Sequence, residues 1–204
     1  MRKVVHGAWI LGVAMVVAAC ASAQGSPVSM SVDGAQGSPP SPLGMLPVPA
    51  GASPWSDNTD APMSLGPYIG KFWDASTQAA EKSQYAQWGF VSGGYEGWIN
   101  TDGSQQQIAI ARFSTVKGAI DAADDLSSDL ADQPAPCTTF AGPVDGAVGE
   151  VDPRLDAEGN ARVEITVRIG DELIDVHEFT AATPDPAAAK ALLLEQVNAL
   201  KGHT

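Results

Sequence analysis

Cysteine is nearly missing from these 204 residues, with only Cys20 and Cys137 present. So few exclude a small disulfide-stapled domain and leave no cysteine pair for a structural zinc site. Histidine is equally scarce. His6, His177 and His203 provide no multiple-histidine metal spacing, so no metal or other cofactor is expected. Eleven Lys and Arg stand against twenty-four Asp and Glu, a net charge of −13. That balance excludes nucleic acid, whose phosphates need basic partners, and docking on anionic lipid through a basic patch. Phosphate loops are absent too: Gly66–Lys71 has one residue too few between its glycines and no Ser or Thr after the lysine. Ser92-Gly93-Gly94 stops short of a nucleophile elbow.

Long apolar runs are also missing. The run from Val4 to Ala19 covers sixteen residues and is diluted by His6, Gly7 and Gly12. A spanning helix needs roughly twenty. What is there instead is a secretory leader: Arg2-Lys3, the apolar run, then Val17-Ala18-Ala19-Cys20. The small residues closing on a cysteine read as a lipoprotein signal, with cleavage before Cys20 and a diacylglyceryl group on its sulfur. Two acyl chains suffice for stable anchoring where one is marginal. The expected location is the outer face of the cell membrane, lipid-anchored. A second cleavage form, Ala21-Ser22-Ala23, would cut before Gln24 and release a secreted protein. Either route leaves Cys137 without an intrachain partner, and a small buried apolar role is expected for it.

Loss of residues 1–19 removes Arg2 and Lys3 and takes the net charge from −13 to −15. Residues 20–60 read as the lipidated N-terminus and a disordered tether rich in Pro, Ser and Gly. Seven prolines between Pro27 and Pro54 oppose a packed core there. Thirty flexible residues would hold a domain about 30 Å from the membrane. Residues 61–204 then form a single exported α+β domain, large enough for a core of its own.

Within that domain, a first helical segment is expected from Pro67 to Trp88, with Ser64 as cap, a break near Asp74–Thr77 and Gly89 as stop. Tyr68, Ile69, Phe72 and Trp73 followed by Ala79, Ala80 and Trp88 form its apolar stripe. Strands follow at Tyr95–Asn100 and Gln105–Ser114 around the turn Thr101-Asp102-Gly103-Ser104. Ile108-Ala109-Ile110-Ala111, apolar on both faces, predicts a central strand. Thr115 caps a helix with the stripe Val116, Ile120, Ala123, Leu126 and Leu130. One or two short strands are expected within Gly142–Pro153.

Val163, Ile165, Val167 and Ile169 then alternate with Arg162, Glu164, Thr166 and Arg168, the pattern of a half-buried antiparallel strand. Gly170-Asp171 turns the chain into a return strand, Glu172–Phe179. Asp185 and Pro186 start a last helix striped by Ala189, Leu192, Leu193, Val197 and Leu200. The fold class is therefore α+β: an antiparallel sheet with helices packed mainly on one face, in two hairpin-plus-helix halves.

Chemistry is thinly supplied. The turn at Gly170-Asp171 sets His177 opposite Glu164 and Thr166 opposite Asp175. A His–Glu pair can do acid–base work, but the spacing brings no nucleophile, and a cross-strand pair on a solvated face is the expectation. Asp152, Asp156, Glu158 and Asn160 do not match a calcium loop: alignment on Gly159 puts Arg154 first and Ile165 last. Asp121, Asp124, Asp125, Asp129 and Asp132 read as a solvated helix face. Trp73, Trp88, Phe90, Tyr95 and Trp98 gather around the first helix and strand, where they would line a ligand groove or pack helix on sheet.

Leu46-Pro47-Val48-Pro49-Ala50-Gly51-Ala52, Trp55, Gly89-Phe90-Val91-Ser92-Gly93, Trp98 and the Thr183–Gly202 ending together resemble uncharacterised envelope lipoproteins of actinobacteria, over roughly residues 45–202. The resemblance implies export and a compact α+β domain, and it carries no catalytic residues. The expected function is a non-enzymatic envelope lipoprotein that is held to the membrane by its lipid and binds an envelope protein or an apolar ligand. The alternative is a secreted or tethered hydrolase using His177 with Glu164.

Overall fold

The computed structural model describes residues 44–58, 61–131, 135–181 and 183–202. The leader, Cys20, most of the expected tether and Asp132 lie outside the described residues. No helix among the described residues is long and apolar enough to cross a membrane.

Among the described residues, seven antiparallel strands form one sheet. They are β1 (Ser53–Pro54), β2 (Phe90–Ile99), β3 (Gln105–Phe113), β4 (Thr138–Ala141), β5 (Val148–Asp152), β6 (Ala161–Ile169) and β7 (Glu172–Thr180). Their order across the sheet is β1-β2-β3-β7-β6-β5-β4. The β2–β3 hairpin turns where the sequence expected, with the Asn100 N–H donating to the Ser104 carbonyl. In the β6–β7 hairpin Gly170 takes φ +61°, which a side chain would resist. The predicted register follows: Glu164 faces His177, Thr166 faces Asp175 and Arg168 faces Leu173. Ile108–Ala111 lies in β3, which pairs with β7 at the centre of the sheet. Its burial on both faces explains the unbroken apolar run.

Four helices of the described residues flank the sheet: α1 (Leu65–Phe72), α2 (Gln78–Gln87), α3 (Val116–Ala131) and α4 (Pro186–Gly202). The two hairpin-plus-helix halves are present, β2-β3-α3 and β6-β7-α4. Helices α1, α2 and α3 lie over one face, and α4 covers the other. Under α4 are Ile108, Ile110, Val163, Ile165, Ile174 and Val176, all 0% exposed. Asp185 caps α4 as expected, accepting from the Ala187 N–H at 3.0 Å.

The details of three helices differ from the pattern. In α3, Val116 and Ile120 are exposed at 49% and 38%, whereas Ala119 and Ala122 are fully buried beside Leu126 and Leu130. Small residues let this helix lie close to the sheet, and that closeness outweighs the larger apolar side chains. Ala79 and Ala80 are likewise exposed, and Tyr85 carries the contact of α2. Ser64 stands at the N-cap of α1 but makes no side-chain cap bond.

Residues 44–58, which composition assigns to the tether, pack against the sheet domain. Met45 is buried in the core, with Leu46, Val48, Ala52 and Trp55 packed against it. Gln196 of α4 holds this segment: it accepts from the Leu46 N–H and donates to the Gly44 carbonyl, both at 2.9 Å. Proline content alone misses this, because extended proline-rich chain can lie on a finished core without folding by itself.

Candidate functional site

On the face beneath α1–α3, the strand registers align four polar residues in one lateral row: Glu150 of β5, Glu164 of β6, His177 of β7 and Gln107 of β3. All four are buried, at 1%, 4%, 4% and 0% exposure. Arg162 and Asp175 stand one pleat away on the same face. Alternation predicted a polar face here and solvent above it. The correction is that helices cover that face, since strand periodicity reports only that a face is polar and not what lies over it.

The row is joined by ion pairs. Arg162 reaches Glu150 and Glu164, each at 3.3 Å. His177 Nε2 lies 2.7 Å from Asp175 Oδ2, and its Nδ1 is 3.9 Å from Glu164 Oε2, too far for a hydrogen bond. Burial disfavours a charged His177, but Asp175 and Glu164 outweigh burial and raise its pKa. Burial raises the Glu164 pKa against the pull of Arg162. Glu150 is pushed up to about 7 by burial, opposed by Arg162 and assisted by Glu164.

Above His177, Asp175 and Gln107 lies a small cavity, roofed by Tyr68, Phe72, Trp73 and Tyr85. Measured to water centres it holds about 20 Å³, room for one or two waters. Both polar atoms of the Gln107 side chain, Asp175 Oδ1 and His177 Nδ1 are buried without a hydrogen-bond partner. A buried polar atom left unpaired costs about 1–3 kcal/mol. Four at one place call for a polar guest, water at the least.

Of the five aromatics expected to line a groove, four come together and one does not. Trp73, Trp88 and Phe90 are half-buried in a ring cluster with Tyr68 and Tyr85, and Tyr95 is buried against Phe72. Trp98 is fully buried on the opposite face, donating to Gln106 at 3.2 Å. The cluster packs helix onto sheet. Gly93 makes this contact close, since a Cβ there would strike the Tyr68 ring, and Gly97 likewise makes room for Trp55 of the segment after β1.

Cys137 is a free, half-buried thiol beside β4, receiving a hydrogen bond from Arg154 at 3.0 Å. Burial raises its pKa, with Glu150 and Asp152 adding to the shift. The same Arg154 also pairs with both carboxylate oxygens of Asp152.

No protein-family model matches the chain. No curated protein matches it either. Among solved structures the chain is similar to the extracellular domain of PknH from Mycobacterium tuberculosis, with 14% identity and a TM-score of 0.43 over 57% of this chain and 69% of that one. The extracellular placement in that description is that protein's own.

The residues that reasoning from sequence passed over are Gln107, Arg162, Glu150 and the phenols of Tyr68 and Tyr85. One signal was legible. Asp175 and His177 sit two apart on a strand opposite Glu164, so alternation and the turn already placed three ionisable groups together. Only the β3–β7 pairing brings Gln107 beside them.

Proposed function

We propose that the chain is a membrane-tethered envelope lipoprotein, anchored through Cys20, whose domain binds a small polar ligand without catalysis. The observation that carries this reading is the cavity above His177, where Gln107, Asp175 and His177 present unpartnered polar atoms beneath an aromatic roof. The enclosure has the convergent polar groups of a ligand site but room for one or two waters only, so its guest is of that size. The lipid supplies the membrane partner, and the −15 charge leaves attachment to the acyl chains.

The hydrolase reading has less support. The cavity lining offers no serine, threonine or cysteine. The Thr166 hydroxyl is 3.4 Å from the Ile174 carbonyl. The Tyr68 and Tyr85 phenols are held protonated, their pKa values driven far up by burial. An acid–base pair without an activated nucleophile favours binding over acyl transfer.

Native mass spectrometry of protein solubilised from membranes tests both halves. The expected spectrum carries a diacylglyceryl modification on Cys20 and a co-purifying small species that Gln107→Leu loses. Cys20→Ala should shift the protein to the soluble or unprocessed fraction. Unchanged detergent partitioning of that variant would sink the anchor, and a wild-type mass with nothing bound would sink the ligand.

A further inference from the structure

Glu164, Asp175 and His177 each offer one donor atom, and the three atoms lie within 4.8 Å of one another. Ligands of a tetrahedral zinc ion stand about 3.4 Å apart, a separation these side chains reach by small rotations. Two independent features mark the cluster as more than an ion pair. His177 is 4% exposed, yet its Nδ1 has no hydrogen-bond partner, and Asp175 Oδ1 is unpartnered too. The cavity beside them has room for water, with the unpaired Gln107 amide on its wall.

We propose that Glu164, Asp175 and His177 bind one divalent transition cation, with water in the cavity completing its coordination and Gln107 hydrogen-bonding that water. The proposal rests on reading the cavity as a ligand site and names the ligand's class. An imidazole nitrogen with two carboxylates suits zinc or manganese and not calcium or magnesium, which take oxygen ligands. Arg162 is the competing cation. It is shared between Glu164 and Glu150, so it keeps Glu150 when a metal takes Glu164. The second cluster, Cys137 with Glu150 and Asp152, does not compete, because Arg154 already occupies the thiol and both Asp152 oxygens.

The test uses the full chain in detergent, stripped with a chelator, and titrates Zn²⁺ or Mn²⁺ alone against a chromogenic chelator. One equivalent should bind. Glu164→Gln and His177→Asn should each weaken binding at least about tenfold, while Cys137→Ser should leave it unchanged. Should those variants fold poorly, the wild type suffices: one equivalent of Zn²⁺ should shift the His177 ring-nitrogen resonances. Absent stoichiometric binding, binding that survives both substitutions, or unmoved His177 signals would each overturn the site. A retained organic species without metal would also overturn it, while leaving the ligand-binding reading standing.

Discussion

Arg162 is the residue on which the buried row depends most. Its side chain is 13% exposed and faces carboxylates that are 0% and 4% exposed. Removing one partner of a buried pair leaves charge without compensation, a loss of about 3–5 kcal/mol. Arg162→Met is therefore expected to destabilise the domain by that order in urea unfolding at pH 7.5. A loss under about 1 kcal/mol would mean that the carboxylates are already neutral there. The sequence showed Arg162 and Glu164 on one strand face, so their neighbourhood was legible. Their burial was not, because a polar strand face reads the same under solvent as under helices.

Between elements, the α2–α3 contact carries a mismatch of charge. Glu81 of α2 has its pKa raised to about 7 by burial, with Asp125 and Asp129 of α3 adding to it. A carboxyl whose folded pKa lies above its unfolded value stabilises the fold while protonated. That stabilisation is complete below about pH 4.5 and is lost as pH rises toward 7. Glu81→Gln should thus raise Tm at pH 8 and leave it near wild type at pH 4.5. With the group only half-buried, solvent screening reduces the gain to about 1 kcal/mol, or roughly 3 °C. Equal Tm changes at the two pH values would assign the effect to packing alone. The acidic stripe of α3 was legible as a helix face. Its contact with α2 was not, for Asp125 accepts from Gln84 forty-one residues earlier, at 3.0 Å.

Across the whole molecule, Gln196 ties residues 44–46 to the last helix. It is fully buried on α4 and closes two hydrogen bonds to chain about 150 residues earlier. Gln196→Leu removes both partners from residues 44–46 while preserving apolar volume. The expected result is faster proteolytic cleavage near Met45 with the sheet core intact, read by limited proteolysis and mass spectrometry. Cleavage no faster than wild type would show that Met45 and Leu46 are held by apolar packing alone. Composition reads residues 44–58 as tether, and this pin holds residues 44–46 against α4.

The sequence by itself determined the helices, β3, β6, β7 and the register of the β6–β7 hairpin, since turn chemistry and side-chain alternation are local properties of the chain; β1, β4 and the first half of β2 lay beyond it. It placed His177 opposite Glu164 and the helix breaks near their observed positions. Tertiary structure alone decided which faces are covered, that β3 meets β7, and that Gln107 joins the polar row beneath an aromatic roof. Those contacts join residues distant in sequence, and their formation follows from close packing of layers rather than from any local pattern.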